Sequence, residues 1–191
     1  MITADITQKL LETGMMQFGE FRENKGGYAP LRLHLELLPA YPTFLGQVTG
    51  MLGELLPGNI QRLVAAPDAL PLGVSVSLRT GIPLIYSRGI GESPAFDLVG
   101  AYDSGRAAAV LMNAFSDSES LLSLIWRVRK VGLNVSTVMG LIDFESGFSS
   151  DCAMLSLVNL TGVMDALNEK ALIPAGQITS VYEWIRQNRG Q

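Results

Sequence analysis

The chain has 191 residues, of which 48% are hydrophobic and 17% are charged, and its formal net charge is −4 at pH 7. This length and composition predict one globular domain with a sizeable apolar core, and they exclude a disordered chain. The acidic balance argues against a general nucleic-acid-binding protein, which would need a basic face.

The cellular compartment is indicated by cysteine usage and by the first residues. Cys152 is the only cysteine, so an internal disulfide is impossible and a reducing cytosol fits best. The opening MITADITQKLLETG lacks the basic and apolar regions of a signal peptide, and no apolar run reaches the roughly 18 residues of a membrane span. We therefore expect a cytoplasmic protein with no membrane and no nucleic-acid partner.

The first forty residues predict a small N-terminal hood made of a helix and a hairpin. Apolar residues recur at helical spacing over 3–16, whereas leucine alternates with polar residues in LRLHLEL, 31–37, as in a half-buried strand. FGEF, 18–21, is the other predicted strand, and the polar stretch at 22–27 is the turn. His34, the only histidine, would lie on the polar face of its strand, where we interpret it as a surface residue.

The rest of the chain predicts alternating strands and helices. Strands are predicted at 62–66, 83–87, 107–112, 134–143 and 154–160, with an extended segment at 93–100. Helices are predicted at 42–55, 70–81, 117–131, 161–170 and 177–187. The strands from 62 to 143 are apolar on both faces, as in a parallel sheet that helices cover on both sides.

These patterns predict an α/β fold, a doubly wound, mainly parallel sheet flanked by helices. We expect a single domain over 1–191, with the hood at 1–40, the core at 41–170 and a C-terminal helix within 171–191. Ligands of such sheets bind at the carboxyl ends of the strands. The candidate loops are at 66–70, 87–94 and 113–118.

Other features have ordinary structural interpretations. The basic run of Arg127, Arg129 and Lys130 lies in a predicted helix and is interpreted as a solvated face. Trp126 and Trp184 are interpreted as packing or dimer contacts, and Cys152 as a small core residue. One histidine and one cysteine cannot build a transition-metal site, so no metal ligand is assigned.

The segment AYPTFLGQVTGMLGELL at 40–56 and three others resemble segments of orotate phosphoribosyltransferases, in which the first of these corresponds to the helix after the opening strand. LLETGMMQFGEF at 10–21 is similar to the opening helix and K-F-G-x-F strand of that family, and ALPLGVSVSLRTGIPLIYSR at 69–88 to its L-G-I-P-x-x-Y-x-R segment. Residues 98–147 run in register with the family's V-D-D-V-x-T-T-G-x-S and V-D-R-x-E-G motifs. The resemblance spans about residues 4–165. It implies the type I phosphoribosyltransferase fold, a homodimer, and transfer of phosphoribose from phosphoribosyl pyrophosphate, bound with Mg²⁺, to a pyrimidine acid.

The chain departs from the family's signature loop. The two acidic residues that contact the ribose hydroxyls in the family correspond here to Met112 and Asn113. The family's T-T-G-G phosphate cradle corresponds to SDSE at 116–119, so both glycines are replaced and two carboxylates stand where they would repel a phosphate. Ser116 and Glu119 also fit a capping box, in which the helix uses its own side chains to satisfy its first N–H groups.

The cations of the family are also replaced. Arg88 is kept, but the two lysines of the K-x-x-K motif, which grip the pyrophosphate, read Gly89 and Glu92. The arginine that holds the orotate carboxylate reads Phe144, and Lys25 lies one place from the position of a hood lysine. An anionic substrate would lack most of the cations that recognise it in the family.

Two hypotheses follow. In the first, which we favour, the chain descends from orotate phosphoribosyltransferases, has lost the transfer reaction, and acts as a binding or regulatory subunit, with a small nucleotide-like ligand and a homodimeric state. In the second it remains an active phosphoribosyltransferase with an altered site, using phosphoribosyl pyrophosphate with Mg²⁺. No cofactor is assigned otherwise. The predicted vestigial site is Arg88, Asn113, Ser116, Asp117, Ser118 and Ser120, with Lys25 and Phe144 as possible base-site or hood residues.

Overall fold

The computed structural model describes residues 2–22, 26–90, 93–115, 118–145 and 150–188. The strands are β1 (Met16–Arg22), β2 (Tyr28–Leu33), β3 (Arg62–Ala65), β4 (Leu84–Ser87), β5 (Leu98–Val99), β6 (Ala107–Phe115), β7 (Asn134–Asp143) and β8 (Ala153–Asn159). The helices are α1 (Ile2–Glu12), α2 (Pro42–Leu55), α3 (Leu70–Thr80), α4 (Pro94–Asp97), α5 (Ser118–Lys130), α6 (Leu160–Glu169) and α7 (Ala175–Asn188).

Six strands form the central sheet in the order β5-β4-β3-β6-β7-β8. All neighbouring pairs are parallel except β4 with the two-residue β5, which is antiparallel. The strands are apolar on both faces because helices cover both faces, which confirms the predicted α/β fold with a mainly parallel sheet. The strand order reverses direction beside β3 and β6, where ligands of such sheets bind.

Alternate residues of the central strands enter two separate cores. Leu63, Leu111 and Met139 point to one face, where they join apolar side chains of α1, α2, α3, α6 and α7. Val64 and Val110 point to the other face, where α5 provides most of the helical cover. This alternation follows from the two-residue period of a strand.

The N-terminal hairpin pairs β1 with β2 in an antiparallel sheet of its own, as predicted for the hood. The helix α1 packs against α6, and α7 packs against β2. The hood is therefore fastened to the C-terminal helices by the contacts of α1 and α7.

Two predicted segments are wrong in part. The strand expected at 31–37 ends at Leu33, and Leu35–Ala40 forms a 3₁₀ helix. Leu35 and Leu38 are buried by this turn, whereas Leu37 is exposed, so a three-residue period replaces the alternation. The extended segment expected at 93–100 is the short helix α4 followed by β5.

The other elements lie close to their predicted positions. α5 ends at Lys130, and Gly132 follows it with a φ of +91°, a left-handed conformation that favours glycine. In the described part of the chain, we find no helix long and apolar enough to cross a membrane.

Candidate functional site

A cavity of about 760 Å³ opens at the carboxyl ends of β3, β4 and β6. The loops after β3 and β4, Met112 of β6 and the part of α5 from Ser120 to Arg127 form its walls. The described lining residues are Ala66, Pro67, Asp68, Gly89, Met112, Ser120, Ser123, Leu124, Trp126 and Arg127. This is the edge of the sheet at which the sequence predicts a ligand site.

Asp68 contributes a carboxyl group to the cavity from a single 3₁₀ turn, Pro67–Ala69, between β3 and α3. Asn113 fixes this turn, because its side-chain amide donates to the backbone carbonyl of Asp68 at 2.8 Å. Burial among the surrounding atoms raises the pKa of Asp68, and hydrogen bonds from the backbone of Asp68 and Ala69 and from Asn113 oppose that shift. The residue as a whole nevertheless keeps solvent-exposed surface where it lines the cavity, so only its carboxyl group is strongly desolvated.

A buried ion pair ties the loop after β4 to α5. Asp97 is fully buried, and its carboxylate accepts hydrogen bonds from Ser87 Oγ at 2.6 Å and from the backbone N–H groups of Gly89 at 2.8 Å and Ile90 at 3.2 Å. Arg127 Nε lies 3.1 Å from the same carboxylate, and its side chain is 17% exposed. Gly89 and Arg127, which both line the cavity, are thus held by one carboxylate.

Trp126 stands on α5 between this cavity and a neighbouring groove. Its side chain is 52% exposed, and the ammonium group of Lys130 lies 5.3 Å from its ring centroid. Lys130 and Trp126 line the groove with Leu122, Ile125, Arg129 and Asp151. The groove therefore carries the basic end of α5, whereas the cavity borders the earlier residues Ser120, Ser123 and Leu124. Trp126 lines both.

The basic run on α5 is not the uniform solvated face that the sequence predicts. Arg127 is largely buried against Asp97, and Arg129 pairs with Asp151 at 2.9 Å. Cys152, predicted as core, is buried beside Arg129, and burial raises the pKa of its thiol.

The predicted vestigial site is brought together only in part. Ser120 lines the cavity, and Asn113 is buried beneath it, where its amide supports Asp68. The exposed Arg88 adjoins Gly89 but is not among the described lining residues. Three predicted residues cannot be placed: Ser116 and Asp117 lie outside the described residues, as does the side chain of Ser118.

Of the two possible base-site or hood residues, the structure describes Phe144 but not Lys25. Phe144 packs edge-to-face against Trp184 with ring centroids 6.1 Å apart, on the side of α7. This contact agrees with the packing role predicted for Trp184. Lys25 lies outside the described residues, so its role stays a prediction.

Sequence reasoning overlooked four of the residues that shape the cavity. Asp68 lies in a loop that the sequence does mark as a candidate, and its position after a strand is a signal for it. Trp126 and Arg127 lie in the middle of a helix, and Asp97 lies in a segment without a motif. No local signal identifies these three, because their roles depend on contacts between distant parts of the chain.

The described walls of the cavity are poor in positive charge. Arg127 is the only lysine or arginine among the described lining residues, and Asp97 neutralises it. Asp68 adds an acceptor, and Ser120 and Ser123 add hydroxyl groups. Within the described ranges, no group of three or more histidine, cysteine, aspartate or glutamate side chains is placed to hold a metal ion. The walls are suited to bind hydroxyl and amine donors and an aromatic ring.

Comparisons with known proteins agree with this architecture. The chain is 22% identical over 171 residues to an orotate phosphoribosyltransferase of Archaeoglobus fulgidus, covering 87% of this chain and 96% of that protein. Its structure superposes on Leishmania donovani UMP synthase with a TM-score of 0.88 at 22% identity, covering 97% of this chain and 42% of that one. Orotate phosphoribosyltransferase from Aeropyrum pernix superposes with a TM-score of 0.72 at 17% identity, covering 85% and 99%.

No family model matches the chain. The structural superpositions nevertheless cover 85–97% of the chain, and the sequence similarity extends over 87% of it. The chain has the type I phosphoribosyltransferase fold and resembles orotate phosphoribosyltransferases in sequence.

Proposed function

We propose that this orotate phosphoribosyltransferase-like protein is related to pyrimidine nucleotide metabolism, has lost phosphoribosyl transfer, and acts as a binding or regulatory protein. The proposal concerns the cavity at the ends of β3, β4 and β6. It adopts the first of the two hypotheses that the sequence leaves open.

The end of β6 carries this proposal. Met112 and Asn113 stand where the resemblance places two carboxylates, and both are buried, with 7% and 4% of their surfaces exposed. Asn113 uses its amide to hold the turn at Asp68. A thioether and an amide are both neutral, so neither supplies the negative charge that a carboxylate would offer to the positive charge that develops on a ribosyl group during transfer.

The charge of the cavity supports the same proposal. Pyrophosphate recognition requires several cations or free N–H donors. The single described cation in the lining, Arg127, is paired with Asp97, and Asp68 would repel an anion. The walls therefore favour a ligand without phosphate groups.

The test is calorimetry with phosphoribosyl pyrophosphate and Mg²⁺, together with a turnover assay with orotate. We expect neither heat of binding nor product. The Archaeoglobus fulgidus orotate phosphoribosyltransferase, assayed in parallel, controls for reagent quality. Micromolar affinity for phosphoribosyl pyrophosphate, or turnover of orotate, would contradict the proposal.

The second candidate function is an active phosphoribosyltransferase with an altered site. The observation in its favour is that the cavity persists at the expected edge of the sheet, with Arg88 at a position the family also uses. Such an enzyme would use phosphoribosyl pyrophosphate with Mg²⁺. A panel of nucleobases in the same assay tests this candidate, and turnover of any of them would support it.

We also propose that the protein is a homodimer, as the resemblance implies, and that it is cytoplasmic, as its cysteine usage indicates. An exposed apolar face on α3 supports this assembly, because Val74 is 42% exposed and Leu78, one turn later, is 81% exposed. Light scattering after size-exclusion chromatography should give the mass of a dimer. Leu78→Glu should give a monomer, and a monomeric unmodified protein would contradict the assembly.

A further inference from the structure

We propose that the cavity binds a ribonucleoside that carries no phosphate, with the carboxylate of Asp68 accepting from the ribose hydroxyls and Trp126 stacking on the base. This inference rests on the proposed function, since it names the class of ligand for the same cavity. Three observations carry it: the placement of Asp68, the placement of Trp126 and the charge of the walls.

Asp68 presents an acceptor in a fixed position. Its turn is held from below by the hydrogen bond of 2.8 Å from Asn113, and Asp68 is an exposed residue that lines the cavity. An ionised carboxylate only accepts hydrogen bonds, and its two oxygens match two neighbouring hydroxyl groups. The same pairing of a carboxylate with ribose hydroxyls recurs in nucleotide-binding α/β folds.

Trp126 presents a flat apolar surface on the wall that α5 forms. The ring is half exposed, although tryptophan is usually among the more buried residues. Lys130 lies against this ring, but it lines the groove and is not among the described residues of the cavity. Aromatic side chains in this situation stack on nucleobases, because every base has a π-face.

The walls select against a phosphate group. Arg127 forms an ion pair with the fully buried Asp97, so the two side chains together add no net charge to the cavity. Asp68 leaves the described lining with one negative charge. Ser123 Oγ accepts from the Arg127 guanidinium at 2.9 Å, which leaves its O–H group to donate to a neutral polar group. A volume of about 760 Å³ lies within the range of cavities that bind small organic ligands.

The binding experiment uses the fluorescence of Trp126. The sequence contains two tryptophans, so the variant Trp184→Phe leaves Trp126 as the only one. The full chain is titrated with uridine, cytidine, adenosine and guanosine, with their 5′-monophosphates, and with phosphoribosyl pyrophosphate and Mg²⁺. We expect saturable quenching by at least one nucleoside, and binding weaker by about tenfold or more for its monophosphate.

Substitutions identify the two contacts. Asp68→Asn should weaken binding of that nucleoside by about tenfold or more. The 2′,3′-dideoxy analogue of the nucleoside should bind the unmodified chain as weakly as the nucleoside binds the variant. Binding of the analogue to the Asp68→Asn variant should be no weaker than that, because both changes remove the same contact. Trp126→Leu, followed by calorimetry, should also weaken binding by about tenfold. Asp5→Asn, on an exposed part of α1 away from the cavity, is the matched control and should change nothing.

The outcomes separate this inference from the proposed function. If no nucleoside binds at concentrations up to about 10 mM, the inference is overturned while loss of transfer still stands. A monophosphate that binds more tightly than its nucleoside also overturns it. Saturable binding of phosphoribosyl pyrophosphate with Mg²⁺ contradicts both. If Asp68→Asn fails to fold by circular dichroism, the dideoxy analogue tests the same contact on the unmodified chain.

Discussion

The two faces of the central sheet are covered in different ways. On one face, α1, α2, α3, α6 and α7 close a continuous apolar core around Leu63, Leu111 and Met139. On the other face, α5 supplies most of the helical cover over Val64 and Val110. The cavity opens on this second face, beside the part of α5 from Ser120 to Arg127.

The comparison shows that the face with fewer covering helices also has ion pairs that hold its main helix in place. The helix α5 is fastened at Arg127 by the buried Asp97 and at Arg129 by the exposed Asp151. On the many-helix face, a continuous apolar core packs the helices close to the strands. On the other face a single helix leaves the strand ends accessible, and the ion pair of Arg127 with Asp97 joins that helix to the loop after β4 beside the opening.

The largest expected effect comes from breaking the buried ion pair. Asp97→Asn should lower the free energy of unfolding by about 3–5 kcal/mol, because it leaves the largely buried Arg127 without a counter-charge. Urea unfolding followed by circular dichroism measures the change. The matched control is Asp151→Asn, since this carboxylate is 71% exposed and water screens its pair with Arg129. Equal losses of unfolding free energy in the two variants would show that the contribution of the Asp97–Arg127 pair does not depend on its burial.

A second pair of variants compares the two cores directly. Leu52 on α2 is fully buried, whereas Leu124 on α5 is 2% exposed and borders the cavity. Leucine-to-alanine changes in cores cost about 2–5 kcal/mol, and the cost rises with the volume of the void that remains. We expect Leu52→Ala near the upper end and Leu124→Ala near the lower end, because the space left by Leu124 merges with an existing opening. A larger loss for Leu124→Ala in urea unfolding would contradict this view of the second face.

A smaller effect is expected at the start of α6, on the many-helix face. Asn159 caps this helix, and its side-chain oxygen accepts from the backbone N–H of Gly162 at 2.8 Å. Asn159→Ala should cost about 1 kcal/mol, measured by thermal or urea unfolding. Asn159→Asp keeps an acceptor at the same position and should retain most of the stability. A loss in the aspartate variant as large as in the alanine variant would show that the cap is not what matters there.

The smallest effect concerns pH and the contact between α6 and α7. Burial raises the pKa of Tyr182 from 10.0 to about 12, and the hydrogen bond to Asp165 and its charge add to the shift. Because the folded pKa lies above the unfolded one, this contact stabilises the fold fully below about pH 10 and ceases to do so as the pH rises to about 12. Unfolding measured across that interval should show the loss, and Tyr182→Phe should remove this part of it. Tyr28→Phe, at an exposed tyrosine outside this contact, is the control.

Several elements could be predicted because their signals are local. The apolar strands at 107–112 and 134–143 indicate a parallel sheet, and the loop at 66–70 is marked as a ligand site by its place after a strand. The segment 31–37 shows the limit of this reasoning. Alternating leucines predict a strand there, but burial of Leu35 and Leu38 against the core favours a 3₁₀ turn.

By itself, the sequence determines the alternation of strands and helices and the edge of the sheet at which a ligand site is expected. These follow from periodicity and residue chemistry, which are local properties, whereas the correspondence of Met112 and Asn113 to an acidic pair is what the resemblance to orotate phosphoribosyltransferases implies. Only the tertiary structure decides that Arg127 meets Asp97, that Asn113 supports Asp68 and that Trp126 faces a cavity. Those contacts join residues far apart in the chain, and whether a charge or a ring is buried, paired or open depends on what the fold packs against it.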